Sequence, residues 1–198
     1  YTIINNSKLN KLKKDTKKSK PISKAIFNKG YKKELIDRLE GGRILKAWEL
    51  PQAKEQKLIL GVEIAATLLC EGRSSPMVKD LREELRIIES IEMDLQILEQ
   101  GGLILLEACC PIENIEITEY KINNILENSI NNIFPPKELE RAKKLVTNNI
   151  YYGTELSSQI ASISGNQALW GRHQPILESI NDISYWTSKR LKEIIFPL

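Results

Sequence analysis

Between residues 53 and 71 the apolar positions Leu58, Val62, Ala65, Ala66 and Leu69 recur at three- and four-residue steps, which predicts a helix. Its stretch LILGVEIAATLLC carries one charge, Glu63, so nearly the whole circumference is expected to be buried. Gly72 stops this helix, and Ser75 followed by Pro76 restarts a short one carrying Val78, Leu81, Arg82 and Leu85. The pattern then switches period. Over residues 87–95, Ile87, Glu89, Ile91, Met93 and Leu95 share one face of a predicted strand, with Glu89 interrupting it. Gly101 and Gly102 turn into LILLEACC, a second and more apolar strand. Upstream, the charged run at residues 31–40 and RILKAWEL read as paired strands joined by a hairpin at Gly41 and Gly42.

The last third reads as helical. A helix over 115–133 aligns Ile115, Ile122, Leu126, Ile130 and Ile133 and is broken by Pro135 and Pro136. The next runs from Pro136 towards Trp170 and is expected to bend around Tyr152 and Gly153. A final helix is expected after Ser184, read as its N-cap, through Leu191 and Ile194. Strands, helix, paired strands and then helices give an α+β class: an antiparallel sheet on one side, helices on the other.

Charge changes this picture at one end. The 198 residues have a net charge of only +3, yet residues 1–33 hold eleven Lys against one Asp, and the remainder holds eighteen basic and twenty-five acidic residues. Residues 1–30 are therefore read as a basic linker or tail and residues 31–198 as the α+β domain. A phosphate-binding or membrane-surface arm is the alternative for the tail. The acidic remainder lacks clustered aromatics with basic partners, which argues against nucleic acid. No apolar run approaches the roughly 20 residues that span a bilayer. Cys70, Cys109 and Cys110 are odd in number and two are adjacent, so a reducing compartment is expected and a cytoplasmic location favoured. One histidine and no CxxC pair argue against a metal site. A start at Tyr1 without Met reads as a piece cut from a longer protein.

Four stretches in order, Gly72-Arg73-Ser74-Ser75, Leu81-Arg82-Glu83, PPKELERAK and ESINDIS, resemble the insulinase family of zinc peptidases, which includes pitrilysin and the mitochondrial processing peptidase. The likeness covers about residues 42–195. In that family homologous α+β units pair around a chamber, and only one half bears the inverted zinc motif H-x-x-E-H. His173, in WGRHQP, has no second His or catalytic Glu at the required spacing. The resemblance therefore implies the later, metal-free half, facing a zinc-bearing half of the same or a partner chain and helping to hold a peptide. No cofactor is expected in this chain; zinc belongs to the partner half.

In active members the metal-free half supplies an Arg and, seven residues later, a Tyr to the substrate backbone or the developing oxyanion. Arg82 falls on the Arg position, but Glu89 stands where the Tyr would be, and Arg86 replaces the usual Gly in the intervening turn. An ionised carboxylate only accepts hydrogen bonds and would repel an oxyanion. Glu89 could instead pair with Arg82 and occupy its donors. Substrate-binding candidates are thus Arg82, Glu89 and the loop Gly72, Arg73, Ser74 and Ser75, with no catalytic and no metal residue assigned. For the loop, a helix stop and restart is a sufficient structural reading. Glu138 and Glu140, two apart at a helix start, favour the helix dipole. An inactive scaffold or assembly domain is the alternative function, and an isolated half exposing its partner face could self-associate.

Overall fold

The computed structural model describes residues 23–24 and 26–198. Most of the basic segment, residues 1–22 and 25, therefore lies outside the described residues. Three strands, β1 (Gly42–Leu50), β2 (Ser90–Leu98) and β3 (Gly101–Cys110), form an antiparallel sheet in the order β1-β3-β2. Alternation places Ile44, Ile91, Leu106 and Ala108 inside. The hairpin between β2 and β3 has the two-residue loop Glu99 and Gln100. Gly101 there has a φ of 140°, and a Cβ on Gly102 would collide with the carbonyl of Gln96.

On the inner side lie α1 (Gln56–Cys70), a π-helical turn (Val78–Glu84), α2 (Ile115–Asn131) and α3 (Pro136–Tyr152). They are followed by α4 (Ser157–Leu169), α5 (Ile180–Ile183), α6 (Ser188–Arg190) and a second π-helical turn (Leu191–Ile195). All of α1 except Gln56, Lys57, Leu58 and Glu63 is buried, Lys57 alone being exposed and the other three partly buried, as its apolar run requires. Val62 and Ala66 share a core with Val146 and Ile150 of α3 and with Trp186, Leu191 and Ile195. The far end of α1 joins a second core of Leu69, Met77, Leu81, Ile88, Ile91, Leu106 and Ile122. The α+β class, sheet against helices, is therefore as expected.

Four sequence expectations are corrected. Residues 31–40 form no strand but an exposed segment without regular structure; its charges leave no apolar face to pair, and Gly42 opens β1, which pairs with β3 instead. The strand expected over 87–95 is shifted to Ser90–Leu98, so Ile88, placed on its polar face, is buried ahead of the strand. The long helix expected after Pro136 is not merely bent at Gly153; it divides into α3 and α4. The final cap is Thr187, whose hydroxyl accepts from the backbone N–H of Arg190 at 3.2 Å, and not Ser184.

Candidate functional site

The loop after α1 is built from backbone constraints. Gly72 has a φ of 84°, a left-handed conformation that only glycine adopts without strain. Ser75 is fully buried, and its hydroxyl donates to the carbonyl of Gly72 at 2.7 Å. The backbone N–H of Lys79 donates to the carbonyl of Ser75 at 2.8 Å, so Ser75 starts the next helical segment. Arg73 and Ser74 are exposed.

Arg141 on α3 holds this corner from outside. Its Nη1 donates to the carbonyl of Glu71 at 2.5 Å, its Nη2 to that of Leu68 at 3.2 Å, and its Nε to Glu138 at 3.2 Å. A guanidinium fork thus satisfies two carbonyls at the C-terminal end of α1, where the helix dipole favours a cation. A Cβ on Gly72 would stand 3.3 Å from Nη1, so the glycine also makes room for the fork. Arg141 was legible only as part of PPKELERAK; nothing in its spacing foretold the corner it caps.

Arg82 sits in the π-helical turn, whose widened geometry shows in the bonds from Leu85 N–H to Asp80 O at 2.9 Å and Ile87 N–H to Leu81 O at 3.0 Å. Its guanidinium pairs with the adjacent Glu83, Nη2 at 2.9 Å and Nε at 3.1 Å, with both side chains well exposed. The pairing with Glu89 that the sequence allowed is not the one formed. Glu89 is exposed, and among the described residues it forms no ion pair. Its backbone N–H donates to the carbonyl of Cys109 at 2.8 Å, joining it to the head of the β2–β3 ladder. Between the two lies Arg86 with a φ of 54°, the left-handed conformation expected of the glycine it replaces.

Elsewhere the titratable groups are structural. Burial pushes the Cys70 thiol up to about 12, and its Sγ lies 3.3 Å from the sulfur of Met77. Burial also raises the Cys110 thiol. Glu63 is raised to about 7 by burial, which the charge of Arg172 partly offsets. Among the described residues the buried Nε of Arg172 and Nε2 of Gln167 have no hydrogen-bond partner. His173 is exposed in a loop anchored by reciprocal bonds between Gln56 and Gln174 at 2.9 and 3.0 Å. Among the described residues no three His, Cys, Asp or Glu side chains come together as potential metal ligands. No helix among them is long and apolar enough to cross a membrane. Two shallow clefts, of about 260 Å³ beside Asp80 and Asn128 and about 430 Å³ beside Lys143 and Ile183, include none of the candidate residues.

The family model described as "Peptidase M16 inactive domain" matches residues 4–146. No curated protein matches the chain in sequence. A protease from Helicobacter pylori superposes with a TM-score of 0.72 at 18% identity, over 80% of this chain and 38% of its own. A peptidase M16 inactive domain from Pseudomonas fluorescens gives 0.70 at 15%, over 78% and 37%. The inactive peptidase domain of a proposed zinc protease from Bordetella parapertussis gives 0.65 at 17%, over 80% and 87%. These TM-scores establish the shared fold, and the chain spans less than two-fifths of the first two structures.

Proposed function

Because the chain belongs to the family of peptidase M16 inactive domains, we propose that it is the substrate-cradling half of an insulinase-family zinc metalloendopeptidase, with the zinc site in another domain or a partner subunit. The observation that carries this reading is the family match across the stretch holding the loop, Arg82 and Glu89. In this reading residues 31–198 form the domain and residues 1–30 a basic linker. Arg82 donates guanidinium N–H groups to a substrate backbone carbonyl or the oxygen that becomes negative as the carbonyl is attacked. It exchanges an exposed, weak pairing with Glu83 for a bond to substrate in a site closed to water. The loop Gly72, Arg73, Ser74 and Ser75 borders the same space, with Gly72 and Ser75 fixing its course.

Reconstitution with the zinc-bearing half tests this. Chelator-sensitive cleavage of an unstructured peptide is expected, and Arg82→Ala lowers kcat/KM by about 100-fold, the scale of losing one oxyanion donor. Activity equal to wild type removes Arg82 from the mechanism. Glu89 favours the second reading, a non-catalytic scaffold or assembly domain, because a carboxylate replaces the family's donor. Absence of chelator-sensitive cleavage with a zinc-loaded half, by both wild type and Glu89→Tyr, supports that alternative.

A further inference from the structure

The helices cover one face of the sheet, and among the described residues the other face is open. Register places its side chains in rows across β1, β3 and β2: Leu45 with Glu107 and Glu92, Ala47 with Leu105 and Asp94, Glu49 with Leu103 and Gln96. Leu45, Ala47, Leu105 and Leu103 thus form a diagonal apolar strip, with Leu45 67% exposed and the leucines of β3 half-buried. Carboxylates flank it on both sides, Glu49 from β1 and Glu92 and Asp94 from β2. Glu92 stands directly opposite Glu107, a like-charge cross-strand pair that destabilises a sheet. Arg43 pairs with Glu107 at 2.8 Å, but among the described residues Glu49, Glu92 and Asp94 have no ion-pair partner. An apolar strip left open and edged with uncompensated carboxylates is stable in water only at a cost that a suitable partner removes.

We propose that this face docks a basic amphipathic helix: apolar side chains on the Leu45–Ala47–Leu105–Leu103 strip, flanking lysines or arginines on Glu49, Glu92 and Asp94. A helix suits the face better than an extended peptide. A strand alternates apolar and polar side chains up and down, turning its cations away from the sheet, whereas lysines beside a helix's apolar stripe reach down its flanks. Helix on sheet is also the ordinary way a sheet face is closed. The inference rests on the sheet alone and stands whether or not the chain serves a zinc-bearing half.

Fluorescence anisotropy with the full 198-residue chain tests it, using a labelled 18-residue peptide with leucines at helical spacing flanked by lysines. Saturable binding is expected, weakened at least tenfold by Leu45→Ser and by Glu92→Lys with Asp94→Lys. Leu45 is exposed, so its variant should stay folded near the wild-type melting temperature. The lysine pair, which relieves the Glu92–Glu107 repulsion, should melt no lower than wild type, and Glu83→Lys, elsewhere on the surface, should keep its affinity. Equal binding of a peptide of the same composition with its periodicity scrambled, or affinity untouched by the sheet variants, overturns the proposal. So does a concentration-dependent dimer that Leu45→Ser dissolves, since a second copy then covers the face.

Discussion

Single residues carry both the clearest sequence signals and the clearest failures. Gly72 was readable as a helix stop because its conformation is a backbone matter, and its φ of 84° bears that out. Arg86 is the converse: a side chain held at a φ of 54° costs about 1 kcal/mol, and only comparison with a glycine-bearing pattern pointed to it. Arg82 is partly exposed, and which carboxylate it meets depended on the π-helical turn, which apolar spacing does not reveal. Glu63 was visible as the lone charge in an apolar run, but not its environment. Its carboxyl titrates near 7 in the folded chain against 4.5 unperturbed. The folded state therefore binds more protons between those values, and stability falls as pH rises through that window, by up to roughly 3 kcal/mol. Urea unfolding at pH 5 and pH 8 should show Glu63→Gln removing most of that loss and gaining about 2 kcal/mol at pH 8. An unchanged pH dependence in the variant would place the titrating group elsewhere.

Elements were legible where one periodicity ruled a whole segment, as in α1, α2 and the hairpin of β2 and β3. They were misread where a partner decided the outcome. Residues 31–40 and 43–50 looked like hairpin strands, but β3 supplies a far more apolar neighbour for β1. The junction of α1 with the C-terminal segment was equally hidden, because it depends on a tryptophan 125 positions after a glycine. The ring of Trp186, 1% exposed, fills the notch at Gly61, and a Cβ there would lie 2.5 Å from Cζ2. Helix propensity alone says Gly61→Ala gains about 0.5–1 kcal/mol. The collision dominates, since the ring is buried on all sides, and thermal unfolding should show a net loss of about 1–3 kcal/mol. Combined with Trp186→Leu, the alanine should cost less than in the wild-type background. Additive losses would mean that the ring does not define the notch.

At the scale of the whole molecule, the basic start and acidic remainder are plain in the sequence, but a surface that meets another unit is not, because such a contact leaves no periodicity in the chain. The chain matches a third to two-fifths of the first structures it resembles and belongs to a family described as an inactive peptidase domain; under the proposed function a zinc-bearing half supplies the chemistry. If that half binds the folded domain and not the unfolded chain, mass action must stabilise the domain as the partner is added. An excess of a hundred times Kd gives about 2.7 kcal/mol. For a domain of this length that raises Tm by roughly 5–10 °C. The shift should persist when the partner has been stripped of zinc, while cleavage stops, because the contact and the chemistry reside in different halves. A melting temperature indifferent to the partner across that range would show that the two do not pair, whatever activity the zinc-bearing half has alone.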